Sequence, residues 1–285
     1  MPIRQIRRFF AMLMVCLLLS GSAHAQTQPM NILLIGVDTI RAETNGRSDA
    51  MLLVRADPAS GDLRMVSFLR DLYVSIPGVG KTRLNAAYFH GGEELLKETL
   101  KQNFGVTVDR TVTVHFSMLA SLVDQLGGIE VDVSEKELAQ LNGIVKDYND
   151  AYGLSGDRLM QAGRQRLNGK QALCYSRIRK MDSDFQRTSR QQAVLTAMLA
   201  QASTLGPWQL MRIALQNLPY VQTDISLGDI LDLLPLVGSM QDLSLTTAHV
   251  PFAGTYTDET IYGMMVLSPN LEQNRTKLHD FLNGN

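Results

Sequence analysis

The sequence predicts an α/β fold, a layered sandwich of helices around a mixed sheet. Short apolar runs of strand character alternate with stretches whose apolar residues recur at helical spacing. The first of those runs is apolar without alternation, as expected of a strand covered on both faces. Gly, Pro and Asp stand at the boundaries between runs, where turns and helix ends need them.

The elements follow in order. "NILLIGVD" (31–38) reads as a buried strand bounded by Gly36 and Asp38. "AMLLVRAD" (50–57) and "LRMVSFLRD" (63–71) are the next two strands, with a turn at Pro58, Gly61 and Asp62 between them. A helical region lies within "RLNAAYFHGGEELLKETLKQNFG"; Leu95, Leu96, Leu100 and Phe104 form its stripe and Gly105 stops it. "TVTVHF" (111–116) is β-branched and alternating, hence a strand. "SMLASLVDQLGG" is a helix capped by Ser117 and ended by Gly127, and "IEVDVS" (129–134) a half-exposed strand. Residues 135–168 are polar, contain glycine and have weak periodicity, so they read as a surface excursion. A helix begins near Gly169, and a longer one, with Asp184 as N-cap, runs to about Leu205 before Gly206-Pro207. Helices at 207–217 and 226–239, strands "LSLTTAHVP" and "TIYGMMVLS", and a helix at 270–282 complete the chain.

A chain of 285 residues that is 45% hydrophobic can bury a sizeable core, and no internal repeat divides it. One globular domain, 26–285, is expected. The net charge of −1 argues against a nucleic-acid binder driven by bulk basicity. The N-terminus, "MPIRQIRRFFAMLMVCLLLSGSAHA", has Arg4, Arg7 and Arg8, an apolar run from Phe9 to Leu19, then Ala23-His24-Ala25. That is the order of a secretory signal, residues 1–25, and the run is short for a membrane span of about 20 residues. An uncleaved signal anchor is the alternative. Cys16 follows Val15 rather than a small residue, which argues against a lipoprotein anchor. Cleavage after Ala25 leaves 24 basic against 28 acidic side chains and Cys174 as the single thiol, so no internal disulfide can form. Neither Cys174 nor the scattered histidines suggest a nucleophile or zinc site; Cys174 and His249 read as packed side chains.

One stretch resists a purely structural reading. "YSRIRKMDSDFQRTSRQQ" (175–192) holds Arg177, Arg179, Lys180, Arg187 and Arg190. On a helix from Phe185, Arg187, Gln191, Val194 and Met198 share the stripe that is core-facing further on. A solvated charge run would put Arg187 on the opposite side. Arg177 and Arg179, just before the helix, can converge on the same spot. Converging arginines suit a multiply charged ligand such as pyrophosphate, and a helix N-terminus adds N–H groups. Arg70 ends the third strand, Asp38 ends the first, and Asp49 begins the second. Carboxylates beside such arginines suit a hard cation bridging phosphate, Mg²⁺.

Taken together, "NILLIGVDT…RSDAMLLV…MVSFLRDLYVSIPG…KTRLNAAYFHGG…DQLGGIEVDV…LNGKQALCYSRIRK…SDFQRTSRQQAVL" resembles the LytR–CpsA–Psr family of bacterial cell-envelope transferases over residues 31–205. The tail "YGMMVLSPNLEQNRTKLHDFL" fits more loosely, and Leu69 stands where the family usually has Pro. The resemblance implies an αβα sandwich enclosing an apolar pocket for a polyprenyl chain. It implies transfer of a glycopolymer from polyprenyl pyrophosphate to a peptidoglycan hydroxyl, with Mg²⁺, at the outer face of the cytoplasmic membrane or in the wall. Arg70, Arg177, Arg179, Arg187 and Gln191 match the family's pyrophosphate-binding positions, and Asp38 and Asp49 its acidic pair, as metal ligands or base. With Arg70 these two are the catalytic candidates. Leu173, Val194, Met198, Phe116 and Leu119 are candidates for the lipid wall. A pyrophosphatase on the same lipids, or a non-catalytic polyprenyl-phosphate-binding module, would use the same residues.

Overall fold

A computed structural model describes residues 28–37, 46–178, 184–226, 228–229, 232–233 and 244–284. The strands are β1 (Met30–Val37), β2 (Ser48–Asp57), β3 (Asp62–Phe68), β4 (Tyr73–Ile76), β5 (Gly80–Arg83), β6 (Arg110–His115), β7 (Ile129–Val133), β8 (Gly163–Leu167), β9 (Gln222–Thr223), β10 (Ser244–Val250), β11 (Tyr256–Ile261) and β12 (Met264–Pro269). The helices are α1 (Asn85–Phe104), α2 (Phe116–Gln125), α3 (Glu135–Tyr152), α4 (Gly169–Ser176), α5 (Asp184–Ser203), α6 (Pro207–Asn217) and α7 (Leu271–Asn283).

The central sheet has the order β10-β3-β2-β1-β6-β9. It is mixed: β1 runs parallel to β6 and β10 parallel to β3, while β1–β2, β2–β3 and β6–β9 are antiparallel. Its strands are apolar on both faces because helices cover both. Leu33, Ile35, Met51, Leu53, Val66 and Phe68 pack toward Leu96, Leu100 and Phe104 of α1 and Leu278 and Leu282 of α7. From the other face, Ala50, Leu52 and Met65 meet Leu195 of α5. A satellite core joins β7 and β8 to α2, α3, α4 and α5 through residues such as Val131, Leu141, Leu167 and Val194.

The structure corrects four expectations. Residues 135–168 are not a surface excursion. Ser134 caps α3, its side chain accepting from Glu137 N while Glu137 accepts from Ser134 N, and β8 then pairs with β7. Ser117 lies inside α2, whose N-cap is His115. "TIYGMMVLS" is not one strand: β11 and β12 form a hairpin turning at Tyr262 (φ 50°) and Gly263 (φ 76°). The long helix before Gly105 kinks at Gly91 and Gly92, the latter at φ 62° and ψ −150°, a region only glycine enters easily. The signal segment 1–25 and most of the helix expected at 226–239 lie outside the described residues. Among the described residues no helix is long and apolar enough to cross a membrane.

Candidate functional site

Two features of the sheet place the first carboxylate and the first arginine. The β1–β2 register pairs Gly36 with Ala50 but Val37 with Ser48, so Asp49 is the extra residue of a bulge. A bulge re-aims its side chain, and Asp49 meets Arg70, whose Nη1 donates to Asp49 Oδ1 at 2.9 Å. Arg70 follows β3 in a turn fixed from several sides: Leu69 N bonds Val250 O, Leu72 N bonds Leu69 O, and Asn85 N bonds Arg70 O.

Around Arg70 the acids and bases alternate. Its Nε lies 3.6 Å from Asp71 Oδ2 and 3.6 Å from Asp184 Oδ1. Asp71 in turn lies 3.3 Å from Arg83 Nε, and Arg187 Nη2 lies 2.7 Å from Asp184 Oδ1. Burial pulls the Arg70 pKa down, but Asp71, Asp184 and Asp49 outweigh it and leave the pKa raised, so the guanidinium stays charged. None of these contacts to Asp71, nor the Arg70 Nε contact to Asp184, has the distance and alignment of a hydrogen bond. Buried Arg70 Nε and Arg83 Nε, and Asp71 Oδ1, accordingly have no hydrogen-bond partner. Two buried guanidinium N–H groups without an acceptor form a receptive cradle for anionic oxygens.

Below these charges lies an apolar cavity of about 210 Å³. Leu34, Ala50 and Leu52 of the sheet, Leu119 of α2, and Val194 and Met198 of α5 line it, with Ser176 and Gln191 also in its wall. Leu173 is buried elsewhere, and the side chain of Phe116 lies outside the described ones. The helical spacing of Arg187, Gln191, Val194 and Met198 thus sets a charge, an amide and two apolar groups along one helix, with Arg187 only 2% exposed.

The sequence candidates fall into three groups. Asp49, Arg70 and Arg187 are joined through Asp184, and Gln191 lies one turn beyond Arg187 on the cavity wall. Arg177 caps the C-terminal end of α4 immediately after the cavity-lining Ser176. Asp38 and Arg179 lie outside the described residues. Sequence reasoning missed Arg83 and treated Asp184 only as a cap; Asp184 sits beside both Arg70 and Arg187 and holds their spacing. Arg190, counted with the basic cluster, plays another part. It is buried, donates from Nε to Glu137 Oε1 at 2.7 Å and from Nη1 to Ile178 O at 3.2 Å, and so fixes the backbone between Arg177 and Arg179.

Other side chains stay out of this chemistry. Burial pushes the Cys174 thiol up to about 11, so no thiolate forms near neutral pH. His249 has its Nε2 3.2 Å from Ser189 Oγ and its ring edge-on to Phe185, and burial lowers its pKa. Among the described residues no group of three or more His, Cys, Asp or Glu side chains is arranged to hold a metal. The carboxylates that are described, Asp49, Asp71 and Asp184, offer hard oxygen donors of the kind Mg²⁺ takes, with Asp71 Oδ1 lacking a hydrogen bond.

A mixed-sheet sandwich with a buried arginine–aspartate cradle above an apolar cavity defines a domain for a ligand that is anionic at one end and hydrocarbon at the other. The chain belongs to the LytR_cpsA_psr family, whose model matches residues 18–280. It is 32% identical over 240 residues to the polyisoprenyl-teichoic acid–peptidoglycan teichoic acid transferase TagT of Bacillus subtilis, covering 79% of this chain and 70% of that protein. It is 28% identical over 265 residues to TagV of the same organism, a transferase of the same description, covering 90% of this chain and 65% of TagV. The chain therefore spans slightly less than two thirds of TagV's length. The fold also matches the solved structure of the family protein YwtF (TagT) with bound octaprenyl pyrophosphate lipid. That match has a TM-score of 0.67 and 26% identity, over 93% of this chain and 94% of that one.

Proposed function

We propose that this protein transfers a glycopolymer from a polyprenyl-pyrophosphate carrier to a peptidoglycan hydroxyl in cell-wall assembly. The observation that carries this reading is the arginine–aspartate group of Asp49, Arg70, Asp184 and Arg187 adjoining a hydrocarbon-lined cavity, whose wall holds Ala50 next to Asp49 and Gln191 one turn after Arg187. That wall, of Leu, Ile, Val, Ala and Met side chains with Ser176 and Gln191, suits a hydrocarbon chain. The names of TagT and TagV, and the octaprenyl pyrophosphate in the TagT structure, point to the same ligand class.

In this reading Arg70, Arg177, Arg179 and Arg187 hold the pyrophosphate, Gln191 sits between it and the chain, and the cavity takes the first isoprene units. The acceptor oxygen attacks the phosphorus next to the glycan. The bond from that phosphorus to the bridging oxygen breaks, and polyprenyl phosphate leaves with the electron pair, its charge held by the arginines. The acceptor's proton passes to a carboxylate, Asp38 or Asp49. Asp38 and Asp49 are also the residues that would hold Mg²⁺, which when bound neutralises charge on the phosphate oxygens. Water in place of the sugar hydroxyl would make the same site a pyrophosphatase.

The test is an assay with a short-chain polyprenyl-pyrophosphate-linked glycan and a soluble peptidoglycan fragment. Glycan attached to the fragment through phosphate is the expected product. Phosphate release without attachment, in the presence of acceptor, would move the assignment to the pyrophosphatase.

The same reading requires export. The arginines, short apolar run and Ala23/Ala25 pair of the N-terminus lead to cleavage after Ala25. Terminal sequencing of the protein recovered outside the cytoplasm should begin at Gln26; recovery only in membranes with Met1 present would mean an anchor.

A further inference from the structure

Helix α6 is held on one side and open on the other. Ile213 is buried in the apolar cluster that contains Val123 and Leu126, beside α2, and Asn217 Nδ2 donates to Gln125 Oε1 at 2.7 Å. Trp208, Met211, Arg212 and Leu215 recur at three- and four-residue spacing and share the outward side, where with Gln216 they line an open groove of about 340 Å³. Trp208 is 80% exposed and Leu215 41%. Tyr220, in the turn Leu218–Tyr220 that follows, is exposed as well.

Charge decides among the occupants. No Asp or Glu stands between Asp184 and Asp224, so α6 carries a single charge, that of Arg212. The one acid of α2, Asp124, accepts from Gly169 N and so faces α4. Tyr262 and Met265, exposed on the β11–β12 hairpin, show the contrast: that hairpin carries Asp258 and Glu259 and no cation. An anionic bilayer surface repels the hairpin and attracts α6. Trp and Tyr are the side chains that settle at the headgroup level, and a helix with one apolar side, a cation and no acid suits that interface. Its place in the fold agrees. Helix α2 packs against α6 and also supplies Leu119 and Leu122 to the wall of the apolar cavity, so a bilayer seated on α6 is one helix away from that cavity.

We propose that the outward side of α6, with Trp208, Met211, Arg212 and Leu215, is a membrane-docking surface that seats in the headgroup region of an anionic phospholipid bilayer. The contact belongs to the folded domain and does not depend on the fate of residues 1–25. It is weak and reversible, because one short helix buries little apolar area and one cation adds a modest attraction. In the transferase reading it brings the cavity to the lipid carrier; the surface itself stands without that reading.

Trp208 is the only tryptophan of the chain, so its fluorescence reports on α6 alone, whether or not residues 1–25 are retained. Full-length protein is mixed with phosphatidylcholine vesicles that contain or lack phosphatidylglycerol. With phosphatidylglycerol the emission should shift to the blue and be quenched by brominated lipid, and salt should weaken both effects. Arg212→Glu and Leu215→Glu keep Trp208; each should need about tenfold more lipid, or beyond, for the same shift. Both should transfer glycan from a soluble short-chain donor at the parental rate. Trp208 emission that is unshifted and unquenched on both kinds of vesicle overturns the proposal. A blue emission without vesicles overturns it too: one that grows with protein concentration assigns the surface to a second copy of the chain, and one that does not shows the chain itself lying over Trp208. Docking by a protein that transfers no glycan would overturn the transferase reading and leave the docking surface standing.

Discussion

Arg187→Ala is expected to lower affinity for a short-chain polyprenyl pyrophosphate by tenfold to more than a hundredfold. A charge-assisted hydrogen bond contributes about 1.5–3 kcal/mol, which sets that range. The effect on folding is separable. Arg187 is 2% exposed and lies 2.7 Å from Asp184, so its loss removes a partner from a carboxylate that is only partly solvated. Arg70, at 3.6 Å from the same oxygen, keeps that carboxylate from being isolated, so a modest fall in melting temperature accompanies the loss of binding. Asp184→Asn in the Arg187→Ala background should recover stability without recovering affinity. Isothermal titration and thermal melts on the parent, single and double variants check both statements. Parental affinity in Arg187→Ala would remove Arg187 from the site.

What the sequence disclosed about this site depended on distance along the chain. Arg187 and Gln191 were legible because a helix fixes the relation between positions four apart, and the apolar residues that follow mark the stripe. Asp49 was legible as a carboxylate at a strand start. The bulge that leaves it opposite no residue of β1 was not, because register depends on a partner strand far off in sequence. Arg83 at the end of β5, Asp71 in the turn after β3 and Asp184 at the start of α5 come together around Arg70 only in the folded chain, and no local pattern announces that. Arg190 read as one more cation in a basic run, while its partner Glu137 lies 53 residues earlier.

The missed helix α3 had the opposite cause. Its capping box, Ser134 to Glu137, stands in the sequence, but the apolar stripe behind it is weak because the helix buries few apolar residues, Leu141 and Val145 among them. The strand expected at "TIYGMMVLS" failed at Tyr262-Gly263, where two successive positive φ angles reverse the chain and Gly263 was the local signal.

Asp49→Asn carries the second large effect. The substitution keeps an oxygen able to accept from Arg70 Nη1, now at 2.9 Å from Asp49 Oδ1, and therefore keeps the geometry of the cradle. It removes the negative charge that a hard cation requires of its ligand and that a proton acceptor requires of its base. Transfer to a peptidoglycan fragment should fall by about a hundredfold or more, the scale of a lost general base. Affinity for bare polyprenyl pyrophosphate should stay within a few-fold of the parent, because the arginines and the apolar cavity remain, and loss of a carboxylate relieves repulsion toward phosphate. For the parent, a chelator should abolish transfer and Mg²⁺ should restore it; for Asp49→Asn, the Mg²⁺ needed for half-maximal rate should rise. If Mg²⁺ dependence is unchanged while turnover falls, Asp49 acts as base and the metal is held elsewhere. Parental transfer by Asp49→Asn would take this carboxylate out of the mechanism, leaving it to orient Arg70 alone.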